Sequence, residues 1–320
     1  MKRTVSLACG LLAMAVAAPV AAELPAGVVK SDNFYDAAVV GRHVWVVGFP
    51  GLILHSPDAG ATWESQGPGG REALFAADFT DERTGFVSGR GGLVLATADG
   101  GRTWERRTTG TTEPLLAIDF GDASTGVAVG NFAAAVRSTD GGKTWAPVRV
   151  APEGEDPSLN GVAFLPDGKG AVAVGEFGRA FVSEDAGATW TAVDTGESDS
   201  LFGVTATPAG AVIAVGAGGV ITVSADRGRT FVRAPSGTGR HLFRVSAAGD
   251  RVLAVGDAGL LLVAADPAGS WTATRLPTHL WMGAVRLGAT GGAGIAVGAR
   301  ALLLRTADSG RTWTPWGGDK

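Results

Sequence analysis

A phrase of constant internal length occurs seven times in the chain and restricts the fold more than any other feature of the sequence. Each copy opens with a glycine, continues as a short apolar run and closes on a turn of the form Ser-x-Asp-x-Gly-x-Thr-Trp. The leading glycines are Gly48, Gly89, Gly130, Gly175, Gly216, Gly256 and Gly298, and 15 residues after each stand Trp63, Trp104, Trp145, Trp190, Phe231, Trp271 and Trp313. Successive aromatics lie 41, 41, 45, 41, 40 and 42 residues apart. Every insertion or deletion therefore falls outside the phrase, in segments that must be surface connections.

One period, read over 115–150, holds four stretches of strand character: Leu115 to Phe120, Gly126 to Val129, Ala134 to Ser138 and Thr144 to Val148. Turn residues part them at Gly121-Asp122, Gly130-Asn131 and Thr139-Asp140-Gly141-Gly142. Four antiparallel strands in about 41 residues make a propeller blade, and a ring of blades leaves no long exposed edge. The expected fold is all-β, a seven-bladed β-propeller of four-stranded antiparallel blades over residues 34–320. Residues 23–33 form a lead segment with room for an edge strand. Composition agrees: 50 glycines in 320 residues, 45% hydrophobic and 18% charged, suit short buried strands and tight turns and exclude helical solenoids and coiled coils.

Lys2 and Arg3, the apolar run Val5 to Ala18, and Val20-Ala21-Ala22 before Glu23 have the layout of a secretory signal peptide covering residues 1–22. The run stops at Pro19, short of the roughly 20 residues a membrane span needs. The expected product is an exported, periplasmic or secreted, soluble monomer. Cys9, the sole cysteine, leaves with the signal, so neither disulfides nor thiolate chemistry is expected. The net charge of -4 offers no field to attract a nucleic-acid backbone, and none is expected as a partner.

The closing turns, such as Ser56-Pro57-Asp58-Ala59-Gly60-Ala61-Thr62-Trp63, resemble the Asp box of bacterial-neuraminidase-type repeats. Their carboxylates are Asp58, Asp99, Asp140, Asp185, Asp226, Asp266 and Asp308. A short carboxylate here can accept hydrogen bonds from its own turn while the indole packs between blades, so the motif reads as a structural staple. One carboxylate per blade cannot converge on an ion, and His43, His55, His241 and His279 lack ligand spacing, so no metal and no cofactor are expected. The sixth copy has Ala268 for glycine and Ser270 for threonine and should be the least well capped. Glycine strings such as Gly89-Arg90-Gly91-Gly92 join strand to strand and read as hairpins, not phosphate loops.

Alternating strand direction puts the Asp-box turns on one face of the ring and the second hairpins and interblade links on the other. Charge is segregated there. Glu153, Glu155, Asp156, Glu176, Glu197 and Asp199 form an acidic sector over blades 3 to 5, and Arg71, Arg90, Arg107, Arg240 and Arg300 form an arginine arc. Segregated charge can steer and orient a partner, so these residues are the candidate docking surface.

Across 34–320, seven such blades behind an export signal resemble the photosystem II stability/assembly factor family of propellers, the phrase from Val129-Gly130 to Trp145 carrying the likeness. The resemblance implies a non-enzymatic ring that helps a membrane complex assemble from the lumenal or periplasmic side, with an arginine-rich patch on one face. The client could equally be another envelope or inner-membrane complex, such as an exporter. Sialidases share the repeats, but their chemistry needs an arginine triad and a late tyrosine nucleophile, whereas Tyr35, the only tyrosine, opens the first blade. A carbohydrate- or ligand-binding ring is the remaining reading, favoured by Trp45 and Trp281.

Overall fold

A computed structural model describes residues 25–288 and 292–316, and the expected signal peptide lies outside them. The chain forms seven four-stranded antiparallel sheets, each from strands consecutive in sequence, arranged as a ring. The innermost strands of blades 1 to 7 are Asn33–Val40, Leu74–Phe79, Leu115–Phe120, Leu159–Phe164, Leu201–Ala206, Leu242–Ala248 and Met282–Leu287. Among the described residues helix is confined to four single 3-10 turns, Asn131–Ala133, Glu176–Gly178, Ala217–Gly219 and Asp257–Gly259, each at the tip of a second hairpin.

The second strand of each blade explains the apolar runs. Gly126–Gly130, Ala171–Gly175 and Val212–Gly216 are buried along their whole length, because a blade is covered on both faces by its neighbours and needs no polar side. The core is accordingly divided into seven clusters, one at each interface between adjacent blades. Between blades 2 and 3, for example, Phe86, Val94 and Ala96 meet Leu115, Ile118, Val136 and Trp145.

The outermost strands are shorter than the sequence implied. In blade 3 the strand is Ala146–Pro147 rather than Thr144 to Val148, since the Asp-box turn takes up Thr144 and Trp145 and Pro147 has no N–H to extend the ladder. Short outer strands also blunt the exposed edges.

Ring closure needs no blade shared between the chain ends. Phe34, Val46 and Leu54 of blade 1 pack against Ala284, Val297 and Leu303 of blade 7, with Val28 of the lead segment in the same cluster. The described lead residues up to Asp32 form turns with no strand. Asp32 instead accepts a 2.7 Å hydrogen bond from the Ala301 amide, and Arg286 pairs with Asp36 at 3.0 Å.

Six Asp boxes share one geometry. In blade 3 the Ser138 hydroxyl donates to Asp140 Oδ1 at 2.9 Å and accepts from the Gly142 amide at 2.9 Å. The Thr144 amide and hydroxyl donate to the two carboxylate oxygens at 2.9 and 2.6 Å. The Thr144 hydroxyl, then its amide, holds Asp140 down to about 2, and Asp226 and Asp308 are lowered to about 2 in the same way by Thr230 and Thr312. Gly142 has φ +72 before it and +71 itself, and it lies against the Phe86 ring with no room for a Cβ. The sixth copy departs from this. Pro267 occupies the first left-handed position, which its ring forbids, and Asp266 receives a single bond, 3.0 Å from the Ala268 amide.

Candidate functional site

Backbone hydrogen bonds assign the two faces. Asp-box turns bond to first hairpins, as in Gly100 N to Arg83 O at 2.8 Å and Gly141 N to Ser124 O at 2.8 Å. Second hairpins bond to the links on the opposite side, as in Arg90 N to Ala73 O at 2.9 Å, Asn131 N to Pro114 O at 3.1 Å and Glu176 N to Ser158 O at 3.0 Å. The latter side is the link face.

On it, Arg71, Arg90, Arg240 and Arg300 are exposed and make no ion pair among the described residues. Arg107 differs: it is half-buried and pairs with Glu105 at 2.9 Å. The acidic sector is less bare than the sequence implies, because three arginines outside the candidate set reach into it. Arg179 pairs with Glu155, Arg233 with Glu197 at 2.7 Å, and Arg149 approaches Glu153 at 4.0 Å. The Glu197 side chain is only 6% exposed, and Glu176 Oε2 accepts the Ser158 amide at 2.8 Å. Asp156 and Asp199 remain exposed. The bipolar surface therefore reduces to free arginines facing a largely compensated acidic sector.

Two features of this face lie outside the charged set proposed for docking. Phe132 and Phe177 sit at the tips of adjacent second hairpins, 66% and 71% exposed, with φ of +53 and +57. Such a backbone conformation is strained for an aromatic residue, and blades 2 and 5 place Gly91 and Gly218 at the same point. The second feature is the mouth of the central channel. Every inner strand has a register shift near its start, which leaves Tyr35, Phe75, Leu116, Asn160, Phe202, Phe243 and Gly283 unpaired at the link-face end. These residues, with Arg244 and Trp281, line a cavity of 400 Å³. Tyr35 stacks on Trp281 at 5.9 Å, and Phe202 and Phe243 of adjacent blades meet at 5.8 Å. The recurring signal was present, a large buried apolar residue followed by an aromatic at the start of four inner strands, but it lies outside the constant phrase.

Below the mouth the channel is charged. Asp36, Asp78 and Asp119 each accept an amide of the next blade, from Ala77 at 3.3 Å, Phe120 at 3.0 Å and Phe164 at 2.6 Å. They staple inner strands together, and crowding has an electrostatic cost: burial pushes Asp78 up to about 6, and burial followed by the charge of Asp78 lifts Asp119 well above the usual carboxylate range. Burial also raises Tyr35 and lowers Arg244. Of the two tryptophans that favoured sugar binding, Trp45 is fully buried, stacks on Phe79 at 3.6 Å and donates to Gly100 O, so it is a core residue. Trp281 is at the mouth. Among the histidines, His43 Nδ1 and His55 Nε2 face each other at 2.8 Å and His55 Nδ1 bonds Glu64 at 2.9 Å, which spends the ring nitrogens on one another rather than on an ion.

No curated protein matches the chain. The fold is shared with a solved structure described as YCF48 bound to D1 peptide, with a TM-score of 0.69 and 20% identity over 87% of this chain and 94% of that one. It is shared also with YCF48 from Cyanidioschyzon merolae, with a TM-score of 0.59 and 21% identity over 76% and 84% of the two chains. The family model for the photosynthesis system II assembly factor YCF48 matches residues 70–234, just over half of the chain and all of blades 2 to 5. With the seven-bladed ring complete around that match, the chain belongs to the YCF48 photosystem II assembly factor family.

Proposed function

We propose that the chain is an exported, non-catalytic assembly factor that holds a segment of an envelope membrane protein against its link face. The observation that carries this reading is the pairing, on one face, of exposed arginines without ion-pair partners and two strained, exposed phenylalanines. Aromatic and arginine side chains supply most of the energy at protein interfaces, and strain retained at an exposed position has no folding benefit of its own. Family membership points the same way, as does the description of a relative bound to a peptide of a membrane protein. The signal layout at residues 1–22 supports delivery to the periplasmic side, where the client is photosystem II or another inner-membrane complex such as an exporter.

Glycoside hydrolysis has no support in the geometry. Tyr35 is raised by burial, the opposite of what a phenolate nucleophile requires, and no carboxylate is hydrogen-bonded to it among the described residues. A ligand-binding ring is the second reading, and the aromatic mouth above Arg244 favours it.

The test is a crosslinking pull-down from the membrane fraction with the parent and with Arg71, Arg90 and Arg300 all changed to Glu. Exposed charges contribute little to stability, so the variant should fold and melt like the parent yet lose its partner. Undiminished recovery of the same membrane protein, with loss instead on reversing Arg102, Lys143 and Arg311 of the Asp-box face, would overturn the assignment.

A further inference from the structure

We propose that the channel mouth is a binding site for a compact apolar or aromatic carboxylate, with Arg244 as its anion-binding group. This site is separate from the rim residues of the docking reading and does not depend on it.

The walls of the mouth are apolar. The bulge in each inner strand takes one residue out of the ladder at the same height in all seven blades, and five of the seven residues there are Tyr35, Phe75, Leu116, Phe202 and Phe243. They are half-buried in a ring whose seven clusters are packed elsewhere, so this apolar surface is left open by the fold rather than used by it. Gly283 belongs to the same arrangement. A Cβ there would press on the backbone of Phe34 and Tyr35, and its bareness leaves the Trp281 indole to stack on Tyr35 and complete the wall.

The floor carries the specificity. Arg244 is half-buried and donates from Nη1 to the carbonyls of Phe202 at 3.1 Å and Phe243 at 3.4 Å. Among the described residues no carboxylate lies within ion-pair distance of it. Asp36, whose charge acts on Arg244, is itself paired with Arg286 at 3.0 Å and accepts the Ala77 amide. A guanidinium stays protonated, so a half-buried one with donors to spare and no carboxylate in ion-pair distance can take an anion from the open cavity. Asn160 lines the same cavity, its side-chain amide held by a 2.9 Å bond donated to Leu201 O.

Size and polarity narrow the class. At 400 Å³ the cavity is at the small end of ligand sites, about 300 to 1,000 Å³. It takes one or two rings or a single terminal residue, not an oligosaccharide. An inorganic oxyanion would satisfy Arg244 but leave the aromatic walls wet. A carboxylate on a flat apolar body satisfies both, the carboxylate bidentate on the guanidinium and the body against the Tyr35 and Trp281 stack.

Calorimetric titration of the mature chain with 1-naphthoate and with its neutral counterpart 1-naphthalenemethanol tests the proposal without any substitution. The acid should bind one to one, and the alcohol at least tenfold more weakly. Arg244→Gln should weaken the acid at least tenfold, and Trp281→Ala, at the rim and with an unchanged melt, should weaken acid and alcohol alike. Alanylphenylalanine and its C-terminal amide separate two sources of the same chemistry: binding lost on amidation assigns a polypeptide end, and naphthoate binding without dipeptide binding assigns a free small carboxylate. Equal affinity for acid and alcohol, or no saturable binding of either, overturns the proposal. Recovery of a membrane partner in the pull-down is a different readout, so either reading can fail alone.

Discussion

Replacing Asp78 by asparagine should stabilise the ring at neutral pH and leave it nearly unchanged in mild acid. Asp78 is raised from 3.8 to about 6, first by burial, against the lowering effect of the Phe120 amide. A carboxyl whose pKa is higher in the folded than in the unfolded chain favours folding in full below the unfolded value, and that contribution is lost as pH rises through the folded value. The window is therefore pH 3.8 to about 6. At about 1.36 kcal/mol per pH unit, the loss reaches roughly 3 kcal/mol by neutral pH. Asparagine cannot ionise, and its side-chain oxygen can still accept the Phe120 N–H. The variant should thus gain about 2 to 3 kcal/mol near pH 7.5 and little near pH 4, a rise in Tm on the order of 5 °C at the higher pH. Urea midpoints followed by tryptophan fluorescence across that range, at unchanged m, give the measurement. A difference between variant and parent that does not grow with pH would refute the reasoning.

Gly142→Ala should cost about 2 to 4 kcal/mol, combining a left-handed backbone with a methyl forced into the Phe86 ring, and a thermal melt reads it directly. Phe132→Gly and Phe177→Gly should leave stability unchanged or raise it by up to about 1 kcal/mol each, since strain is relieved and little burial is lost, while the same pull-down recovers less partner. The acid limb has the opposite sign to that of Asp78. Asp140, Asp226 and Asp308 are lowered to about 2, so their contribution is present above the ordinary aspartate value of 3.8 and is lost as pH falls through about 2. Asp140→Ala should lower the urea midpoint more than Asp266→Ala at neutral pH, because Asp266 holds only one amide.

What could be read from the residues alone was whatever repeats at fixed spacing. Seven copies of one phrase, each with a glycine 15 residues before an aromatic, determine the blade count, the strand order and the place of every Asp box, because those features arise from local turns and from neighbours in sequence. Even the weak sixth turn was legible as a departure from the phrase at Ala268 and Ser270, although the residue that undoes it is Pro267, whose ring forbids the left-handed conformation. The site was legible only in part. Exposure of Arg71 and Arg90 follows from their place in links and hairpin tips, but the compensation of Glu155 and Glu197 by Arg179 and Arg233 depends on which side chains adjacent segments bring together. The mouth depends on tertiary structure altogether. Tyr35, Phe75, Phe202, Phe243 and Trp281 are up to about 250 positions apart and become one surface only when the ring closes and each bulge turns its residue to a common axis. Arg244 and Asp36 are ordinary strand residues until that closure, which leaves the one with no carboxylate in ion-pair distance among the described residues and gives the other to Arg286.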